Sequence, residues 1–297
     1  AAAILSARSP TAAAELIRKH HVSHIAMISE ENFVEPYFRL LHPEAKPEDV
    51  KKTFGYQLLV DRVIPPWLQM IPYNAPEDLK VLNVSALLFK VAFNQTPADA
   101  LYHIALSKIA MGSLLEAEQD FETLIKGSPD SFQPYLKKGE LLFVRHEWAA
   151  SAEMTLNGIR RAPPEIRLNL YANAASSFFR ARRHTQAVRI YEVAFAESSN
   201  AQIAAFLAFV LATSPDDAVR NGPRALALAE KAIQADSTSP TALNSLAAAL
   251  AENGRFPEAV AAAERALANA RALRQNDAIR VSETRLAAFR AGKRWRE

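Results

Sequence analysis

From Pro97 onward, one pattern of small and large apolar residues recurs at about 34 residues, and it limits the possible folds more than any other feature. The first copy carries Leu101, Ile104, Ala105, Gly112, Leu114, Ala117, Phe121, Leu124 and Pro129. The second carries Tyr135, Gly139, Leu142, Trp148, Ser151, Thr155, Gly158 and Pro163. Tyr171, Ala174, Ala175, Phe178, Ala187, Tyr191, Ala194 and Ser199 make the third. After an irregular fourth, the fifth holds Leu243, Leu246, Ala247, Leu250, Gly254, Phe256, Ala259, Ala263 and Ala266. A helix pair of this length cannot bury its apolar face alone, so neighbouring copies must stack.

Residue size at each position has a packing reason. A small residue at Ala105, Gly139, Ala175 and Ala247 lets two helices approach closely, and a large residue three or four places away fills the gap. Ala117, Ala187 and Ala259 serve the second helix in the same way. Gly112 and Gly254 suit the positive φ of a helix end, while Pro129 and Pro163 end one hairpin before the next. The set resembles the tetratricopeptide repeat (TPR) over residues 97–275. That resemblance implies about five α-hairpins in a right-handed superhelix whose first helices line a groove.

The fourth copy reads as a helix over 204–211, a long turn over 212–222 and a second helix over 223–235. Pro215, Asp216 and Asp217 favour the turn and the helix start. A last amphipathic helix over 277–291 supplies the polar outer face that closes such an array.

Residues 1–95 ignore the period. A helix is expected over 10–20 with Thr11 near its cap, a strand over 22–28, short helices or turns over 31–41 and 47–54, and strands over 64–73 and 79–89. The fold class expected is mainly α: a TPR-type α-hairpin superhelix, about five repeats long, at 96–297, preceded by a small α/β module at 1–95. The layout of residues 10–90, with Lys19-His20-His21-Val22, Pro66-Trp67-Leu68 and Lys80-Val81-Leu82-Asn83-Val84, resembles the soluble extracytoplasmic tail of bacterial polytopic glycosyltransferases of the dolichyl-phosphate-mannose-using type. The resemblance implies an excised membrane-protein domain, periplasmic or extracytoplasmic, that positions an acceptor or partner; otherwise a cytoplasmic protein is expected. It transfers no catalytic residue, because those enzymes place their acidic groups in membrane-side loops.

Catalysis finds little support in the residues. There are no cysteines, which removes thiolate chemistry, disulfides and Cys-based zinc sites. Phosphate loops, nucleophile elbows and His-Glu-x-x-His pairs are all missing from the sequence. His20, His21 and His24 form a cluster, but a turn before the strand separates His21 from His24, so no metal site is assigned. Glu30, Glu31 and Glu35 read as a charged helix start rather than a catalytic pair. Trp67, Tyr56 and Tyr73 are the residues that would recommend the amino-terminal module as a small-ligand site. No cofactor is expected.

Net charge is +3, with basic residues scattered among a similar number of acids, unlike the basic stripe of a nucleic-acid binder. Lys51-Lys52, Arg180-Ala181-Arg182-Arg183 and Lys293-Arg294-Trp295-Arg296 read as solvated helix ends, so nucleic acid is not expected as a partner. The function expected is a non-catalytic scaffold that binds a protein or peptide in its groove. Counting along each first helix places Tyr102, Leu106, Ile109, Lys137, Glu140, Phe143, Asn173, Ser176, Phe179, Arg180, Phe206, Asn244 and Ala248 on the groove. Asn173 and Asn244 would bond to a peptide backbone, and Lys137 and Arg180 would receive a carboxylate. A membrane-embedded parent or partner is compatible with the second resemblance, and the oligomeric state stays open.

Overall fold

A computed structural model describes residues 2–28, 34–71, 86–274 and 276–297. The chain forms two compact units, residues 1–134 and 135–297.

In the first unit, the short helix α1 (Ala2–Leu5) precedes α2 (Pro10–Lys19) and strand β1 (His24–Ile28). Then come α3 (Val34–Leu41), a 3-10 turn (Pro47–Lys52), α4 (Phe54–Leu59), β2 (Leu68–Ile71) and β3 (Ala86–Val91). Helix α2 starts where expected, but its cap is Ser9, whose hydroxyl accepts from the Ala12 N–H, rather than Thr11. The sheet is antiparallel in the order β1-β3-β2, with His24 opposite Lys90 and Leu68 opposite Val91. The strands are shorter than the sequence suggests. His21, at φ 51, turns the chain before β1, and Pro65 and Pro66 lack the N–H a ladder needs. Expected strand residues 72–73 and 79–85, with Tyr73 and the run from Lys80 to Val84, lie outside the described residues, as do Glu30 and Glu31.

Ile4, Ile17, Phe54, Leu58, Leu68 and Phe89 form the core of this unit. Helix α4 was not expected. Its Gly55 meets the Leu5 carbonyl oxygen 2.9 Å from where a Cβ would stand, so only glycine fits there. Trp67 lies between the rings of Phe54 and Phe93, at 5.5 and 5.6 Å, and Tyr56 packs on the pair Phe38 and Val50. These contacts spend the two aromatic groups on packing. The hairpin of α5 (Pro97–Ala110) and α6 (Leu114–Gly127) also belongs to this unit, contributing Ile104 and Met111 to the same core. Mixed elements give way to helices after Val91, whereas compactness divides the chain after Pro134.

Every described element of the second unit is a helix. Its pairs are α7 (Gln133–Val144) with α8 (Trp148–Ile159), α9 (Pro164–Arg180) with α10 (His184–Ser198), α11 (Ala201–Thr213) with α12 (Gly222–Ala235), and α13 (Pro240–Glu252) with α14 (Phe256–Ala272), followed by α15 (Asn276–Arg290). The small positions do what their size implies: Ala105, Ala117, Ala175, Ala187, Ala247 and Ala259 are all fully buried. At Gly139 a Cβ would stand 2.7 Å from Thr155 Oγ1, and Ser151 Oγ donates to the Gly139 carbonyl at 2.8 Å across the same seam. Helix α11 is apolar nearly all round, with Ile203, Leu207 and Val210 buried at 2% exposure or less, and it forms the centre of this unit.

First helices end alike. Behind α5, α7, α9, α13 and α15 stand Gly112, His146, Arg182, Gly254 and Gly292, all at positive φ between 60 and 79. Each gives the paired hydrogen bonds of a Schellman turn, such as Lys293 N to Ala288 O and Gly292 N to Phe289 O, both 3.0 Å. Three of the five are glycines: Gly112 and Gly254, as the sequence implies, and Gly292. His146 and Arg182 take the same conformation without glycine's freedom.

Helix α11 departs from this rule. Its turn runs through residues 214–221, where Asp216 Oδ1 accepts from Ala218 N and Arg220 donates to the carbonyls of Ser214 and Pro215. Asn221, not either aspartate, caps α12 by accepting from Arg224 N at 3.0 Å.

Candidate functional site: the inner face of the helical array

First helices α7, α9, α11 and α13, with α15, present one side chain row each to a common face of the second unit. Two cavities lie on it. One, of about 420 Å³, is lined by Glu140 and Phe143 from α7, Thr155 from α8, and Asn173 and Ser176 from α9. The other, of about 730 Å³, is lined by Ser176, Phe179 and Arg180 from α9, Phe206 and Phe209 from α11, Asn244 from α13 and Arg285 from α15. Ser176 borders both. Asn173, Ser176 and Arg180, three and four apart on α9, therefore line one continuous face, as a 3.6-residue period requires.

Several expected groove residues carry further duties. Lys137 lines neither cavity; it pairs at 2.7 Å with Glu140, which lines the smaller one. Phe143 meets Trp148 edge to face at 4.8 Å, and the exposed Arg180 guanidinium lies over both rings at 5.4 and 5.3 Å. Phe179 packs edge to face on His184 and Phe209 while still facing the cavity. Asn173 is exposed. Asn244 Nδ2 donates to Ser282 Oγ at 3.2 Å and so reaches α15. Ala248 does not belong to this set, being 3% exposed and inside the core. Tyr102 and Leu106 belong to the first unit and line neither cavity; the Tyr102 ring leans on Phe121 of its own hairpin at 6.0 Å.

Counting along helices had missed Arg182, His184, Arg285 and Glu297, which also line the larger cavity. Arg182 and His184 flank the turn between α9 and α10, and Arg285 projects from α15. Glu297 comes from residues 293–297, which do not form a solvated helix end. They leave the Schellman turn at Gly292 and cross the ends of α13, α11 and α9 as an irregular strap. Arg296 pairs with Glu252 at 2.7 Å and donates to Ala212 O at 3.3 Å. Glu297 N donates to Thr213 O at 3.1 Å, and its carbonyl accepts from Arg182. The Glu297 carboxylate accepts from Arg285 at 2.6 Å and from Trp295 Nε1 at 2.9 Å. The signal in the sequence was Trp295, an amphipathic ring seldom left in water.

The strap fits because α11 lacks the Schellman turn. Elsewhere that turn satisfies the last carbonyls of a first helix, whereas here Ala212 and Thr213 receive their donors from the strap. Electrostatics around the cavity are lopsided. Arg180, Arg182 and Arg285 line it against the single carboxylate of Glu297. Burial lowers the Arg285 guanidinium against the pull of Glu297, and its Nε is buried without a partner. His184 is 5% exposed with both ring nitrogens unpartnered. Burial first, and the Arg182 charge second, push that imidazole below its ordinary value. Among the described residues no group of three or more His, Cys, Asp or Glu is placed to hold a metal ion, and no helix is long and apolar enough to cross a membrane.

No protein-family model matches this chain, and no curated protein does. Solved structures do. A double mutant of MamA from RS-1 superposes with a TM-score of 0.50 at 12% identity, covering 59% of this chain and 96% of that one. MamA from residue 41 to its end, from Desulfovibrio magneticus RS-1, gives 0.49 at 12% identity, with 59% and 96% covered. TTC0263, a TPR protein of Thermus thermophilus, gives 0.44 at 17% identity, with 64% and 99% covered. The glycosyltransferase-tail resemblance of residues 10–90 finds no counterpart among these structures. With the repeat spacing, the buried small positions and the first of these superpositions taken together, the helical part of the chain has the tetratricopeptide-repeat fold.

Proposed function

We propose that the chain is a non-catalytic scaffold whose inner helical face receives an extended segment of another protein. The observation that carries this reading is the continuous face through Ser176, where two cavities lined by aromatic rings and unspent polar groups adjoin. Stacked hairpins use such a face to hold peptides, with polar groups answering the backbone and pockets taking side chains. Exposed Asn173 and the free edge of the Arg180 guanidinium are the groups to do so. A structure of the yeast Sti1 TPR2AB domains, by its own description, is a complex with pHSP90; that is a property of Sti1, and the reading here stands on the face itself. In this reading the array is the repeat-bearing stretch 96–297, and the module at 1–95 precedes it in the sequence.

A peptide array probed with the chain, then with Asn173→Ala, Arg180→Ala and Lys137→Ala, tests the assignment. Loss of most of the signal is expected for Asn173→Ala and Arg180→Ala, and a smaller change for Lys137→Ala because Glu140 already holds that charge. Binding that is indifferent to all three overturns the inner-face assignment.

A further inference from the structure

Among features not absorbed by the groove, the strap at residues 293–297 has the most unusual chemistry. It spends a tryptophan, an arginine and a glutamate on reaching across three first helices. Glu297 places one carboxylate between Arg285 and Trp295, with Arg182 bonded to its carbonyl. With the strap seated, the Arg285 side chain is 14% exposed and the Glu297 carboxylate is the anion beside it. A guanidinium enclosed this far is strongly disfavoured without an anion, so the enclosed site calls for an acid, which here the strap supplies. His184 is a second, independent sign of an unfilled site. It lines the same cavity, more than nine-tenths buried, with neither ring nitrogen bonded.

We propose that the strap is an intramolecular occupant of a carboxylate-recognition site, and that the external ligand is an extended peptide bearing an aromatic residue two places before an acidic one. This rests on the inner-face reading above and names the partner's chemistry and its competitor. Arg285 holds the acid, Arg182 takes the main-chain carbonyl of the acidic residue, the rings of Phe209 and Phe179 floor the site, and the cavity beyond receives the rest of the segment. Charge complementarity selects this ligand, because three arginines meet one carboxylate at the cavity. The site is closed while the strap lies in it and opens when the strap lifts.

Two proteins are compared, the full chain and a version ending after Gly292. The probes are fluorescent acetyl-Ser-Ser-Trp-Ser-Glu-Ser amide and its Glu→Gln counterpart, followed by polarisation. The shortened chain is expected to bind the Glu probe at least tenfold tighter than the full chain does, and the Gln probe at least tenfold weaker than the Glu probe. Arg285→Met in the shortened chain should remove the preference for Glu over Gln. If the shortened chain does not fold, judged by its far-ultraviolet spectrum, the full-length pair change Trp295→Ala with Glu297→Gln takes its place. Equal affinity in the full and opened chains, or indifference to Glu against Gln, overturns the strap proposal. If binding is equal but still lost in Asn173→Ala and Arg180→Ala, the inner-face reading survives alone. If neither probe nor any array peptide binds either protein, the inner-face reading falls with it.

Discussion

The two ends of the inner face are built from equivalent helix positions yet handle charge in opposite ways. At the smaller cavity, the lining Glu140 is answered by Lys137 one turn back on the same helix. At the larger one, Arg180, Arg182 and Arg285 come from two helices and a turn, and the carboxylate beside them, which pairs with Arg285, comes from the strap. A repeat fixes the backbone and its small positions but leaves the facing row free. Neighbouring stretches of one array can therefore be self-neutralised at one place and in need of an anion at the next. The packing under them differs too. The α7–α8 seam closes on glycine, whereas the region of α11 closes on alanine and leucine.

The largest expected effect breaks the alanine-packed end. Leu207 is fully buried at the centre of α11, and Leu207→Ala should destabilise the chain by about 2–5 kcal/mol through lost transfer energy and a cavity. A thermal melt reads it, and a shift of a degree or less would mean the helix relaxes into the space. Next comes the glycine seam. Gly139→Ala forces a Cβ against Thr155 Oγ1 and should cost about 1–3 kcal/mol. The double change with Thr155→Ser should keep that cost, because serine retains the Oγ, whereas Thr155→Ala should recover part of it. A double-mutant cycle in urea distinguishes the two.

How much of this was legible follows from what repeats. The buried alanines, the hairpin count and the closing helix depend on spacing, so Ala105, Ala175 and Ala247 could be placed from the sequence. On the inner face, Asn173, Ser176, Phe179, Arg180 and Asn244 reach the cavities because counting along a helix sets direction. The strap lay beyond that logic. Its contacts join residues 84 and 115 positions apart, through Arg296 with Ala212 and Arg182 with Glu297, and no local period encodes such a separation. Helix α4 was missed for a related reason, since six residues carry too little periodicity to announce a helix.

Two smaller effects sharpen the comparison. His146 and Arg182 hold the same left-handed turn position, one at each end of the face. His146→Gly should stabilise by about 0.5–1 kcal/mol, as glycine accepts positive φ without steric cost. Arg182→Gly should gain less or nothing, because it also loses the bond to Glu297. Equal gains at both turns would show that the strap contact contributes little. The smallest effect concerns pH. His184 has its folded pKa held below the ordinary value near 6.5, so the unfolded chain binds the extra proton. Its contribution is therefore fully present above that value and is lost as pH falls below it towards the lowered folded pKa. Chemical denaturation between pH 7.5 and about 5 should show stability falling. Replacing His184 by Gln should flatten that fall, and an unaltered slope would place the proton uptake elsewhere.

The glycine after α15 also bears on how the chain leaves the stack. Gly292 gives α15 the same ending as the first helix of a hairpin, and at Gly112 and Gly254 that ending leads into a second helix. After Gly292 the chain instead turns inward. Residues 293–297 thus stand at a fork between growth and closure: as a helix they would begin the second half of a hairpin, and as a strap they fold back over the hairpins already stacked. Lengthening this array by design would accordingly require rewriting that segment first, and doing so would uncover the arginines it now satisfies.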